Sequence, residues 1–147
     1  MTPSLDTLLR LSASPEDYLK KVEKTQRALE WQKAMQDFNP DPRIVERLSR
    51  AKERATVACF SASWCKDCLK HVPALVKTLQ KTEKSNIRLV MLDYDQNKKI
   101  AGELGVEAIP TFIVFGGSGT EIGRIIESPS PPFKSVEDEL ASKLSQR

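Results

Sequence analysis

The chain has 147 residues, of which 39% are hydrophobic and 29% are charged, and its net charge is +3. These values indicate a soluble globular protein with one core, and the charge is too small to indicate nucleic-acid binding. No apolar run approaches the ~20 residues that a membrane-spanning helix needs, and the first ten residues lack the apolar segment of a signal peptide. We therefore expect a cytoplasmic protein that binds neither membrane nor nucleic acid.

The N-terminal part of the chain predicts helices. A short helical turn before Ser12 places three leucines on one side: Leu5, Leu8 and Leu9. Ser14 and Pro15 then predict the start of a long helix, since a hydroxyl cap followed by proline favours a helix N-terminus. This helix is expected to end at Phe38, and its sparse apolar stripe consists of Tyr18, Val22, Leu29 and Met35.

The chain divides on this basis into two predicted parts. A second helix begins at Asp41-Pro42 and faces inward through Ile44, Val45 and Leu48. Nothing before Thr56 has the pattern of a strand. We therefore predict an N-terminal helical extension over residues 1–40 and a main α/β domain over residues 41–147.

The main domain predicts a mixed four-stranded sheet flanked by helices. The expected strands are Thr56–Ser61, Ile87–Asp93, Thr111–Phe115 and Glu121–Ile126. The first two should be parallel and joined by a right-handed helical crossover, and the last two should form a hairpin around a glycine-rich turn. The second strand would lie at an open edge of the sheet. The long N-terminal helix is expected either to cover this edge or to mediate dimerisation. Asn97 is predicted to cap a short helix that Gly105 ends, and Ser135 to start the last helix.

Two cysteines stand where the first strand gives way to its helix. Cys65 and Cys68 are three apart, which on a helix places their Cβ atoms roughly 5–6 Å from each other. A disulfide needs about 3.8 Å, so a small local adjustment would let the pair form and break a bond. A helix N-terminus favours the reactive thiolate. The pattern therefore predicts that Cys65 attacks a disulfide and that Cys68 resolves the mixed disulfide.

Other interpretations of the pair are less favoured. A zinc site needs about four ligands, and the chain offers three cysteines and one histidine. A static disulfide would close too small a loop to stabilise the fold much. We therefore expect no cofactor beyond a redox-active disulfide. Lys66 should favour the thiolate and Asp67 should oppose it, while His71 is interpreted as a solvated or packed residue of the helix and not as an acid–base group.

Residues from about Thr56 to Ile126 resemble the thioredoxin family. The match consists of Trp64-Cys65-Lys66-Asp67-Cys68, then Pro73, then the Leu-Asp-Tyr-Asp-Gln-Asn segment that ends at Asn97, then the Gly-Val-Glu-Ala-Ile-Pro-Thr segment that ends at Thr111. The resemblance implies a thioredoxin fold, a cis peptide bond before Pro110 beside the cysteines, and active-site support from Trp64, Lys66, Asp67 and Pro110. It also implies that substrate is bound by Ile109, Thr111 and Trp64.

The chain departs from the family at two positions of the expected proton relay. The family has a buried Asp where this chain has Cys59, and many members have a pairing Lys where it has Met91. Asp67 is a candidate substitute, since its carboxylate is next to Cys68. The long N-terminal helices would also replace the usual first strand.

The resemblance implies a thiol–disulfide oxidoreductase that reduces protein or small-molecule disulfides. A thioredoxin reductase-type donor would restore the dithiol, and the protein would be a monomer or weak dimer. Two alternatives stay open. One is a binding module that recruits a partner through its N-terminal helices, and the other is a redox sensor whose surface changes when Cys65 and Cys68 are oxidised.

Overall fold

The computed structural model describes residues 2–82 and 85–145, and within them lies a mixed sheet of four strands. The strands are β1 (Ala55–Ser61), β2 (Ile87–Asp93), β3 (Thr111–Gly116) and β4 (Glu121–Ile126). Their order in the sheet is β2-β1-β3-β4. β1 is parallel to β2 and antiparallel to β3, and β3 and β4 form an antiparallel hairpin. The predicted sheet and its pairing are therefore confirmed, with each strand end within one residue.

The same residues contain seven α-helices and one short 3-10 helix (Tyr94–Gln96). The α-helices are α1 (Leu5–Leu11), α2 (Pro15–Val22), α3 (Ala28–Asp37), α4 (Pro42–Ser49), α5 (Lys66–Gln80), α6 (Lys98–Glu103) and α7 (Val136–Ser145). Within the described ranges, no helix combines the length and the apolar character needed to cross a membrane.

The sheet has an apolar core on each face. Val57 and Cys59 of β1 belong to one cluster of buried side chains, and Ala58 and Phe60 belong to another. Alternate residues of a strand point to opposite faces, so the two clusters lie on the two sides of the sheet. The first cluster also contains residues of α2, α3, α4, α5 and α7, and the second contains residues of α1 and α6: Tyr18, Trp31, Leu48, Val72 and Leu140, then Leu8 and Ala101.

The predicted single helix from Ser14 to Phe38 is wrong, because the chain turns between α2 and α3. The hydroxyl of Thr25 donates to the Val22 carbonyl at 2.7 Å, and the Thr25 N–H also reaches this carbonyl at 3.0 Å. Such local bonds compete with the regular helix ladder. The break resets the helical phase, so Leu29 is 80% exposed although the stripe placed it inside, and Trp31 is buried.

The open edge of β2 is covered in its middle by the connector between α1 and α2. Ala13 and Met91 exchange two backbone hydrogen bonds of 2.8 Å as an isolated antiparallel bridge. The expectation that the edge is covered by a long helix is thus corrected, since an extended residue does so. This bridge satisfies polar groups that an open edge would expose.

Replacing Ala13 by proline is expected to lower the free energy of unfolding by about 1–3 kcal/mol. Proline has no N–H, so the carbonyl of Met91, a residue only 1% exposed, would lose its donor at an unsatisfied cost of that size. Urea unfolding of the full chain measures the effect. Ala13→Ser keeps the N–H and should stay within about 0.5 kcal/mol of the wild type. Equal stabilities for the two variants would contradict the role given to the bridge.

The two helix starts predicted in the C-terminal half behave differently. Ser135 accepts the Asp138 N–H at 3.1 Å, as expected. Asn97 lies at the N-cap of α6, but its amide donates back to the Asp93 carbonyl at 2.8 Å and makes no capping bond. Gly105, just after α6, has a φ of +73°, a backbone angle that suits glycine.

Candidate active site

Cys65 and Cys68 lie at the tip of α5, directly after the turn that follows β1. Cys65 is the N-cap, and its sulfur accepts the Cys68 N–H at 3.2 Å. This bond uses one of the unpaired donors of the helix N-terminus and would support negative charge on the Cys65 sulfur. Cys65 is 9% exposed and Cys68 is fully buried. A substrate can therefore reach Cys65 first, which is the order that the spacing predicts.

The loop before β3 lies against the Cys65 sulfur although it comes from far along the chain. The Ile109–Pro110 peptide bond is cis, as the resemblance implied. The Cys65 thiol donates to the Ile109 carbonyl at 3.5 Å. The Pro110 carbonyl in turn accepts the Glu127 N–H at 2.6 Å, and the Thr111 hydroxyl donates to the Ala108 carbonyl at the same distance. These bonds fix the loop beside the thiol.

Trp64 lies on the exposed side of the same site. Its side chain is 53% exposed, and its indole N–H donates to the Asp95 carboxylate at 2.7 Å. The indole is therefore held by its polar edge while much of its apolar surface faces solvent next to Cys65. Lys66 is exposed and Asp67 is partly exposed, so both stand at the rim of the site and not under the sulfurs.

Cys68 is surrounded by groups with opposite effects on its charge. Burial raises the pKa of the Cys68 thiol, and its hydrogen bond with Cys65 adds to that increase. The backbone N–H of Ala62 and the hydroxyl of Ser61 lie beside the sulfur and lower its pKa. Because burial is the largest effect, Cys68 rests as a thiol.

The buried polar residues of the family's relay are absent beneath the cysteines. Cys59 lies opposite Met91 in the β1–β2 register, and both side chains are buried. Burial raises the pKa of Cys59 well above its usual value, with Cys68 and Cys65 adding to the effect. The family's acid–base position is therefore occupied here by an inert thiol beside a thioether.

The single histidine of the sequence does not contribute to the site. His71 is buried in α5, and burial together with the neighbouring Lys70 lowers its pKa. Over residues 2–82 and 85–145, no three His, Cys, Asp or Glu side chains are grouped so that they could hold a metal ion.

Two side chains of the N-terminal helices contact the segment that leads from the end of β1 to Cys65, and sequence reasoning gave neither this role. The Tyr18 hydroxyl donates to the Ser61 hydroxyl at 2.9 Å, and the Trp31 indole N–H donates to the Ser63 carbonyl at 2.9 Å. The two rings pack edge to face with centroids 6.1 Å apart. Tyr18 was expected only as a core residue. The missing acid at Cys59 was the available signal that another polar group had to approach.

A helix-tip dithiol beside a cis-proline loop, carried by a four-stranded mixed sheet, defines a protein of the thioredoxin fold. The sequence model of the family described as thioredoxin matches residues 12–140. The chain therefore belongs to the thioredoxin family. Most of the N-terminal extension lies inside the matched region.

Individual relatives agree with this assignment. The chain is 31% identical over 97 residues to a thioredoxin of Bacillus subtilis, an alignment that covers 65% of this chain and 86% of that protein. It is 38% identical over 80 residues to the mitochondrial thioredoxin-3 of Saccharomyces cerevisiae, covering 54% of this chain and 61% of the yeast protein. The match thus spans less than two thirds of the yeast relative's length.

A solved structure extends the likeness to the whole chain. A Pseudomonas aeruginosa protein of unknown function has a TM-score of 0.66 and 22% identity, with 98% of this chain and 89% of that chain covered. This similarity concerns the fold, and it includes the N-terminal helices. The thioredoxin relatives support a function of the thiol–disulfide oxidoreductase type.

Proposed function

We propose that this protein reduces disulfides of proteins or small molecules through the Cys65–Cys68 couple. The observation that carries the proposal is the pairing of Cys65, which is 9% exposed and lies with its sulfur 3.5 Å from the Ile109 carbonyl, with Cys68, which is fully buried. An accessible nucleophile next to a protected second thiol is the arrangement that two-step exchange requires.

The reaction has two steps that balance. The Cys65 thiolate attacks one substrate sulfur, so a Cys65–substrate bond forms and the other substrate sulfur leaves as a thiolate. The Cys68 thiolate then attacks the Cys65 sulfur, forms the Cys65–Cys68 bond and releases the second substrate sulfur. Two electrons move from the protein to the substrate, and the two protons of the protein thiols reach the two substrate thiols through water.

The surface around Cys65 supports binding of a substrate chain. Ile109 is partly buried with its carbonyl at the sulfur, and Trp64 offers an exposed apolar face. We infer that the backbone at Ile109 aligns the substrate and that Trp64 covers the exchanging sulfurs. Thr111 is buried, so it positions the loop and does not itself touch the substrate.

The proposal includes an electron donor of the thioredoxin reductase type, which returns the Cys65–Cys68 disulfide to the dithiol. It requires no cofactor other than this redox-active pair. A reducing compartment such as the cytoplasm suits the activity, because its thiol pool keeps catalytic cysteines reduced. The large aromatic side chains of the N-terminal helices, Tyr18 and Trp31, are buried. Recruitment of a partner by these helices, or redox sensing, therefore stays a prediction without a contact that favours it.

Equilibration of the full chain with glutathione buffers tests the proposal. A protein that reduces disulfides must have a reduction potential at least as negative as that of the cytosolic glutathione pool. We therefore expect a reversible two-electron couple with a reduction potential of about −270 mV. The fraction of Cys65–Cys68 disulfide is measured by mass after alkylation of free thiols. A potential of about −120 mV would make the protein an oxidant, and the lack of a reversible disulfide would remove the proposal.

A further inference from the structure

The second exchange step poses a chemical problem at Cys68. This thiol must become a thiolate while fully buried, and a buried charge without hydrogen bonds is costly. The neighbouring Cys59 keeps its own proton, because burial raises its pKa well above the usual value, so it cannot accept the Cys68 proton as a carboxylate would. Another group must therefore stabilise the sulfur when it attacks.

Tyr18 and Ser61 form a buried chain of hydroxyl groups that leads to this sulfur. Ser61 is fully buried at the end of β1, and Tyr18 of α2 is 4% exposed. The Tyr18 hydroxyl donates to the Ser61 oxygen at 2.9 Å, across 43 positions of sequence. The Ser61 hydroxyl also acts on Cys68, because a hydrogen bond from it lowers the pKa of that thiol.

Tyr18 sets the direction of the hydrogen bonds in this chain of hydroxyl groups. Burial raises the pKa of Tyr18, and the neighbouring Cys59, Cys68 and Asp93 add to the increase. The phenol therefore keeps its proton at working pH and acts as a donor. The Ser61 oxygen accepts the hydrogen bond of Tyr18, so the proton of the Ser61 hydroxyl stays available for the Cys68 sulfur, whose pKa Ser61 lowers.

We propose that Tyr18, acting through Ser61, positions a hydrogen-bond donor on the Cys68 sulfur and so speeds the resolving step. Tyr18 is a positioning residue, and the Ser61 hydroxyl is the group that would bond to the reacting sulfur. The inference rests on the proposed function, since it concerns the second of the two exchange steps. In that step Cys68 loses its proton to water, its thiolate accepts the Ser61 hydroxyl and the Ala62 N–H, and its electron pair forms the bond to Cys65. This chain of hydroxyls would take the place of the absent carboxylate.

Rapid mixing of the reduced full chain with an aromatic disulfide reagent separates the two steps, because each releases one coloured thiolate. The first release depends on reagent concentration and reports attack by Cys65. The second does not depend on it and reports attack by Cys68. Tyr18→Phe keeps the ring that packs on Trp31 and removes only the hydroxyl. We expect it to slow the second release by roughly three- to tenfold and to leave the first unchanged.

Ser61→Ala should slow the second release by about tenfold or more, because it removes the donor that touches the sulfur. Tyr18→Phe should then have no further effect in the Ser61→Ala background, since Tyr18 acts only through Ser61. Tyr94→Phe is the matched control, because Tyr94 packs in the other core cluster, and both releases should keep their wild-type rates.

The outcomes distinguish this inference from the function on which it rests. A wild-type chain that releases only one thiolate would refute the two-step reaction itself. Two normal releases from wild type and from Tyr18→Phe would refute the hydroxyl chain alone. Slowing of both releases would mean that Tyr18 acts by packing and would overturn the inference. An equal effect of Tyr18→Phe in the wild type and in the Ser61→Ala background would do the same.

Discussion

Replacing Trp31 by alanine is expected to destabilise the protein by about 3–5 kcal/mol. Trp31 is 2% exposed, and its removal leaves a cavity against Tyr18 and the first core cluster, a change that costs this much in other proteins. Because a domain of this kind is stable by only about 5–15 kcal/mol, the variant should lose a large part of its stability. Urea and thermal unfolding measure the loss.

Leu29→Ala is the matched control for this experiment, since it lies two residues away on α3 and its side chain is 80% exposed. It should change the free energy of unfolding by less than about 0.5 kcal/mol. Trp31→Phe fills most of the space but cannot donate to the Ser63 carbonyl, and we expect a loss of roughly 1–2 kcal/mol. Equal losses for Trp31→Ala and Leu29→Ala would show that α3 is not anchored as described.

The contrast between Leu29 and Trp31 shows where sequence reasoning failed. Counting helical spacing from Tyr18 along one continuous helix brings Leu29 onto the buried face and turns Trp31 away from it. The polar turn centred on Thr25 changes the phase by side-chain hydrogen bonds, and periodicity has no information about such bonds. The sheet was predictable because β1, β2 and β3 are largely buried apolar runs and a glycine-rich turn joins β3 to the more exposed β4.

Local sequence patterns predicted only a part of the candidate site. Cys65, Cys68 and Pro110 carry spacing that is visible in the sequence, and the loop of Ile109 does lie at the Cys65 sulfur. The contacts of Tyr18 and Trp31 with the cysteine turn join residues more than 30 positions apart. No local pattern encodes a contact of that range, so only the folded chain reveals it.

These two contacts give the N-terminal helices a place in the chemistry and in the fold. Ser61 is the last residue of β1 and Ser63 lies in the turn that follows it, and each accepts a hydrogen bond from α2 or α3. A loss of Trp31 therefore loosens the approach to the nucleophile as well as the core. The predicted division at residue 40 separates parts that share hydrogen bonds and one apolar cluster.

Exchanging either active-site cysteine for serine should have the largest effect on activity, and the two variants should fail differently. Cys65→Ser removes the nucleophile, and because Cys68 is fully buried it cannot replace Cys65. We expect insulin-disulfide reduction to fall by roughly 10³-fold or more. Cys68→Ser keeps the accessible thiol, so it should form a mixed disulfide with the substrate and stop there.

The trapped species is what separates a two-step exchange from any other route to a reduced disulfide. Mass measurement of Cys68→Ser after mixing with substrate should show one covalent adduct for each chain, located at Cys65, whereas the wild type ends as the internal disulfide. Cys59→Ala removes the third thiol, which lies fully buried in β1, and should keep wild-type turnover. Wild-type turnover by Cys65→Ser would contradict the reaction order that we propose. An adduct on Cys68 would do the same, because the attacking sulfur would then be the one that the fold hides from solvent.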